Sequence, residues 1–130
     1  MIIDTSALIA ILFNEADADL YANALANSEH RLMSAANYLE SGITIDRQRG
    51  AAAGRQLDSL ISRAEVIVEA VTREQADIAR QAYLDFGKGV HPAGLNFGDC
   101  FSYALAKSLG MPLLFKGEDF ALTDIESVLQ

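Results

Sequence analysis

Apolar and polar positions along the chain alternate between two spacings, and the switches lay out strands and helices in turn. Met1-Ile2-Ile3 is a short apolar run ending on Asp4, a first strand over residues 1–4. Ser6 to about Phe13 is a helix, and Ala16 to about Asn27, with Leu20, Ala24 and Ala26 among polar residues, is a second. His30 to Met33 is a second strand. Ser34 then caps a helix running to about Gln48, with Ala36, Leu39 and Ile43 as its apolar stripe. Gly50 to Arg63 carries Leu57, Leu60 and Ile61 at helical spacing. Glu65 to Val71 is rich in β-branched residues and reads as a third strand. Thr72 opens a long helix, with Glu74-Gln75 placed for capping and Ile78, Ala82 and Tyr83 in its stripe. Four glycines and Pro92 make Phe86 to Gly98 a loop. Asp99 to Leu109 is a compact helix stopped by Gly110 and Pro112. Leu113 to Phe115 is a fourth strand, followed by the turn Lys116-Gly117-Glu118-Asp119 and a short strand near Ile125 to Leu129.

Strands alternating with helices predict an α/β fold, a three-layer α/β/α sandwich with a mainly parallel central sheet, in a single domain over 1–130. With 51% hydrophobic residues the chain can build a sizeable core. No run of apolar residues is long enough to span a bilayer, and no basic segment precedes a hydrophobic stretch. The expectation is a cytoplasmic protein without signal peptide or membrane contact. Cys100 is the only cysteine, which excludes an internal disulfide, and with two histidines a four-ligand zinc site is disfavoured. A metal here would be hard and held by oxygen. The net charge of −8 argues against a cationic nucleic-acid surface. That argument weakens if a divalent cation bridges acids to phosphates, or if a basic partner covers them.

Four acids stand at places that demand an explanation. Asp4 follows the first strand, where ligands of open α/β sheets bind; as the alternative, it or Thr5 caps the next helix. Glu40 falls within the stripe of Ala36 and Ile43, unless its carboxylate snorkels to water from a rim position, whereas Asp46 faces solvent. Asp99 opens a helix with few polar positions; the dipole favours an acid there, but Asn96 can be the cap and leave Asp99 free. Asp119 follows the fourth strand, beside Glu118, which reads as an exposed turn residue. If strands one, two and four run parallel, these acids share one rim. They would then repel one another unless Mg²⁺, or Mn²⁺ in its place, neutralised them. Such a site can activate water at a phosphoryl centre, and metal-assisted phosphodiester hydrolysis is the natural chemistry.

The segments Ile3-Asp4-Thr5-Ser6-Ala7, Tyr38-Leu39-Glu40, Leu95-Asn96-Phe97-Gly98-Asp99-Cys100 and Lys116-Gly117-Glu118-Asp119-Phe120 together resemble the PIN-domain ribonucleases. More narrowly, they are similar to VapC toxins of bacterial toxin–antitoxin pairs, over essentially the whole chain. The resemblance implies that Asp4, Glu40 and Asp99 are the central acids, with Asp119 as the less uniform fourth. Asp4 and Asp99, with Glu40, would hold the metal, Glu40 orienting or activating the attacking water and Asp119 supporting a metal-bound water or a second ion. Ser6 matches the hydroxyl position near the metal, with Thr5 assisting. It further implies a Mg²⁺-dependent endoribonuclease cutting transfer or ribosomal RNA, a cognate VapB-type antitoxin reaching into the acidic pocket, and a homodimer. Two other classes stay in view. A phosphohydrolase of small phosphate esters, with Asp4 as nucleophile, usually needs a second aspartate where Ser6 stands. A non-catalytic partner-binding module would not need all four acids. Among the basic residues, Lys88 and Lys116 are the candidates for RNA contacts, while most of the arginines are read as solvated, His91 as structural or incidental and Cys100 as core.

Overall fold

The computed structural model describes residues 1–129; Gln130, the last residue of the expected domain, lies outside the described residues. The elements follow in the order β1 (Ile2–Ile3), α1 (Thr5–Leu12), α2 (Ala18–Ala26), β2 (Leu32–Ser34), α3 (Ala35–Arg49), α4 (Ala51–Arg63), β3 (Ile67–Glu69), α5 (Arg73–Phe86), α6 (Phe97–Leu109) and β4 (Leu113–Leu114), with a 3-10 turn at Phe120–Leu122. The sheet has the order β3-β2-β1-β4 and every pairing is parallel. Ile2 sits opposite Leu32 on one side and Leu113 on the other, which places β1 at the centre.

Side chains alternate across a strand, so each strand serves two cores. Ile2, Leu32 and Leu113 pack with Ala79, Ala82 and Leu105 of α5 and α6. Ile3, Met33 and Leu114 turn the other way, onto Leu8, Tyr21, Leu25, Ile45 and Leu57. The layered α/β/α arrangement expected from the alternation is thus the one observed. None of the described helices is long and apolar enough to cross a membrane.

The strands are shorter than the apolar runs that signalled them. Asp4 leaves β1 and becomes the N-cap of α1, while its N–H still donates to Leu114 O at 3.0 Å. Of the expected third strand, Ile67 to Glu69 pair with β2, and at this sheet edge Ile67 and Val68 are exposed. The expected strand over Ile125–Leu129 reduces to one bridge between Ser127 and Leu113. There Leu113 N–H donates to Glu126 O and Val128 N–H to Leu113 O, and the segment leaves the sheet on either side. α6 starts two residues earlier than expected, because Asn96 takes the capping position and Asp99 becomes its reciprocal partner.

The largest departure concerns α3. The stripe Ala36, Leu39 and Ile43 was expected to face inward, yet Leu39 is 61% and Ile43 50% exposed. The buried face is Asn37, Ser41 and Ile45 instead. Two of these three are polar, and each has hydrogen-bond partners that only the folded chain supplies. This is why periodicity of hydrophobicity misplaced the face.

Candidate functional site

The carboxyl ends of β1, β2 and β4 and the N-terminus of α6 form one rim, and the acids sit on it. Asp4 is 4% exposed, too buried for an uncompensated charge. Its Oδ2 accepts from Ser6 N–H at 3.0 Å and Ser6 Oγ at 2.6 Å, and its Oδ1 accepts from Ser102 Oγ at 2.5 Å. Capping and site are therefore not alternatives here: one oxygen caps α1 and the other turns to α6. Ser6 Oγ also accepts from Lys116 N–H at 3.0 Å, which ties the β4 turn to the same corner.

Glu40 comes from the second turn of α3. Its Oε1 accepts from Thr5 Oγ1 at 2.6 Å and Asn37 Nδ2 at 3.3 Å, so Thr5 acts on Glu40 through its side chain. Oε2 accepts no hydrogen bond among the described residues and lies against Gly98; a Cβ built there would fall 2.0 Å from Oε2. Any side chain at position 98 would force that carboxylate to move. Asp99 Oδ2 accepts from Asn96 N–H at 3.0 Å and Asn96 Oδ1 from Asp99 N–H at 2.9 Å, a reciprocal capping box. Its Oδ1 stays free among the described residues. Asp119 stands exposed at the start of the 3-10 turn with no side-chain cap bond.

Electrostatics show that these acids share a field. Burial pushes the Asp99 carboxyl up to about 7, opposed by the Asn96 N–H and raised further by the charges of Asp4, Asp119 and Glu40. Asp4 is also raised, by burial first and by Glu40 as well, against the pull of its Ser102 and Ser6 hydrogen bonds. Glu118 does not figure among the charges acting on Asp99. No lysine or arginine among the described residues makes an ion pair with any of the four.

The acids share the rim without closing into a cage: among the described residues no three His, Cys, Asp or Glu side chains converge tightly enough to ligate one ion. Oε1 of Glu40 is taken up by Thr5 and Asn37, and one oxygen of Asp99 by the capping bond. The donor set still suits a hard cation. It is all oxygen, several carboxylate oxygens are unbonded, and mutual repulsion would be relieved by positive charge. Mg²⁺ characteristically binds through one or two carboxylates and keeps several waters.

A model of the PIN domain matches residues 1–126. The chain belongs to the PIN-domain family. Within that family its near relatives carry the VapC name. Ribonuclease VapC28 of Mycobacterium tuberculosis is 58% identical over 130 residues, covering 99% of this chain and 98% of that protein. Ribonuclease VapC of Mycolicibacterium smegmatis is 57% identical over 128 residues, covering 98% and 99%. Among solved structures, the M. tuberculosis sarcin-ricin loop cleaving toxin VapC20 superposes with a TM-score of 0.79 at 19% identity, covering 95% of both chains. A toxin–antitoxin complex from Klebsiella pneumoniae gives 0.72 at 14% identity, covering 95% and 92%. These two likenesses show that the PIN fold is shared.

Two expectations about cations fare differently in this PIN domain. Lys116 does not point its charge at the acidic rim: Nζ donates to Glu15 Oε1 and Asp17 Oδ1, both at 2.8 Å. Those two carboxylates lie between α1 and α2 and take up the ammonium. Lys88 is exposed, with no ion pair among the described residues. His91 is structural, accepting at Nδ1 from Ala93 N–H and packing edge-on against Phe86. Cys100 is buried in the core, as expected.

Three side chains at the rim escaped the sequence reading: Asn37, Ser41 and Ser102, all fully buried. Ser41 Oγ donates to Asn37 O at 2.7 Å and lies 3.2 Å from Thr5 Oγ1. Ser102 joins Asp4 to Asn37. A signal existed. Asn37 is three before Glu40 and Ser102 three beyond Asp99, so each of these shares a helix face with an acid, and Ser41 lies on the face of Asn37, four residues on.

Proposed function

We propose that this chain is the toxin of a type II toxin–antitoxin pair, a Mg²⁺-dependent endoribonuclease that hydrolyses phosphodiester bonds of transfer or ribosomal RNA in the cytoplasm and so stops translation. The observation that carries this reading is the convergence of Asp4, Glu40, Asp99 and Asp119 on one rim of a parallel sheet, with Asp99 raised to about 7 by burial and by its three neighbours. The VapC relatives support the activity class.

In this reading Asp4 and Asp99 hold the cation, Mn²⁺ being a substitute. Bound there, it would lower the pKa of a coordinated water and offset the charge that develops on the phosphate. Glu40, with Oε1 fixed by Thr5 and Asn37 and Oε2 free, takes the proton from the attacking water. Ser6 holds Asp4 in place and Asp119 supports water on the outer side of the rim. Lys88 is the remaining candidate for a phosphate contact. A VapB-type antitoxin with a cationic side chain would neutralise the same acids, and a homodimer would present two such rims. The whole of 1–130 is read as one nuclease domain.

Brief induction of the chain in bacteria, with sequencing of RNA 5′ ends against an Asp4→Asn control, tests this directly. New 5′ ends confined to wild-type induction are expected. Identical ends from both proteins would sink the assignment.

A further inference from the structure

Asn37 lies where three acid-bearing elements meet; its carboxamide touches α3 and α6 directly and reaches Asp4 only through Ser102. The side chain is fully buried, one turn of α3 before Glu40. Nδ2 carries two hydrogens and faces two acceptors, Gly98 O at 2.9 Å and Glu40 Oε1 at 3.3 Å. The Gly98 carbonyl has no proton to give, so a flipped amide would set two oxygens against each other. The orientation is thereby fixed, and Oδ1 points the other way, to Ser102 Oγ at 3.0 Å. That hydroxyl has a single proton, which Asp4 Oδ1 at 2.5 Å and Asn37 Oδ1 share. One amide thus spans residues 61 and 65 positions away in sequence.

For stability alone, apolar groups of matching shape on both sides would serve about as well as this buried polar set. What the amide adds is geometry. We propose that Asn37 is a positioning residue of the acidic rim: it sets Glu40, the α6 turn carrying Asp99 and, through Ser102, Asp4 in register with one another. This rests on the reading of those acids as a cation site. Second-layer groups that orient metal-holding side chains typically change metal affinity by about 10–100-fold when removed.

The test is Mn²⁺ binding to the full chain by titration calorimetry, alongside the melting temperature in chelator, for wild type, Asn37→Ala, Ser102→Ala, the double variant and Asp99→Asn. Expected is roughly a tenfold or greater loss of Mn²⁺ affinity for Asn37→Ala. Ser102→Ala should lose less, and the double variant should lose less than the product of the two, because both cut one chain of contacts. A purely structural Asn37 would lower the melting temperature and leave the Mn²⁺ affinity of the folded protein unchanged, which would overturn the proposal. Should Asn37→Ala not fold, Ser102→Ala decides: wild-type affinity there overturns the chain of contacts. If wild type and Asp99→Asn bind Mn²⁺ alike, the reading of the acids themselves fails instead.

Discussion

Two acidic clusters flank the turn after β4, and they are compensated in opposite ways. Glu15 and Asp17 receive the ammonium of Lys116, each at 2.8 Å, and that hydrogen bond lowers the Asp17 carboxyl below its ordinary value. Asp4, Glu40, Asp99 and Asp119 receive no cationic side chain among the described residues, and Asp99 rises to about 7. The same short turn thus donates its charge to one cluster and only a backbone N–H, through Ser6, to the other. An acid with its own lysine is a surface feature. Acids held by hydroxyls and amides, with no counter-charge among the described residues, are what the proposed cation site requires.

The sharpest break of this contrast is Asp4→Asn. Asparagine still caps α1, so the circular dichroism spectrum should be unchanged, while RNA cleavage falls by roughly 10²–10³-fold, the size expected for removing one preorganised charge. Gly98→Ala comes next. Its methyl group would displace a carboxylate pinned by Thr5 and Asn37, and a misplacement of about 1 Å can cost up to about 10²-fold in rate. Asp119→Asn should reduce cleavage roughly tenfold, at the low end for groups that act through a metal's waters, and Glu118→Gln should leave it unchanged. Equal effects of the two would show that the turn contributes only its summed charge.

The contrast also has a pH signature. In chelator, folded Asp99 keeps its proton up to about 7, whereas the unfolded chain releases it near the ordinary value of 3.8. Between those values the folded state binds more protons, so stability falls as pH rises through the window, and the upward shift of Asp4 acts in the same direction. Melting temperatures from pH 4 to 8 should decline, less steeply for Asp99→Asn, and saturating Mg²⁺ should flatten the wild-type curve. Smallest is Lys116→Ala. Its exposed ion pairs should contribute a slight stability difference at low ionic strength that vanishes in melts at high salt, with cleavage retained.

The legibility of the molecule follows from how far each determinant reaches along the chain. Asp4 was visible because a carboxylate ending an apolar strand conflicts with its neighbours, and Asp99 because it opens a helix with few polar positions. Glu40 was singled out on a mistaken premise. It does stand at the rim, but of the stripe that flagged it Ala36 is only half-buried and Ile43 is exposed, and the inward face carries Asn37 and Ser41. Lys116 was judged from its nearness to Asp119 in sequence, and only the fold brings Glu15 and Asp17 closer.

By itself, the sequence determined the alternation of strands and helices, the two-sided cores built by pairs such as Ile2 and Ile3, and the order of the four acids. Periodicity and capping act over a few residues, and the chain states them locally. Only the tertiary structure decided which face of α3 is buried, where the Lys116 charge goes, and that Ser102 meets Asp4, 98 residues away, and Asn37 the Gly98 carbonyl, 61 residues away. A buried polar group is stable only with partners at hydrogen-bond distance, and such partners exist only once distant segments have packed.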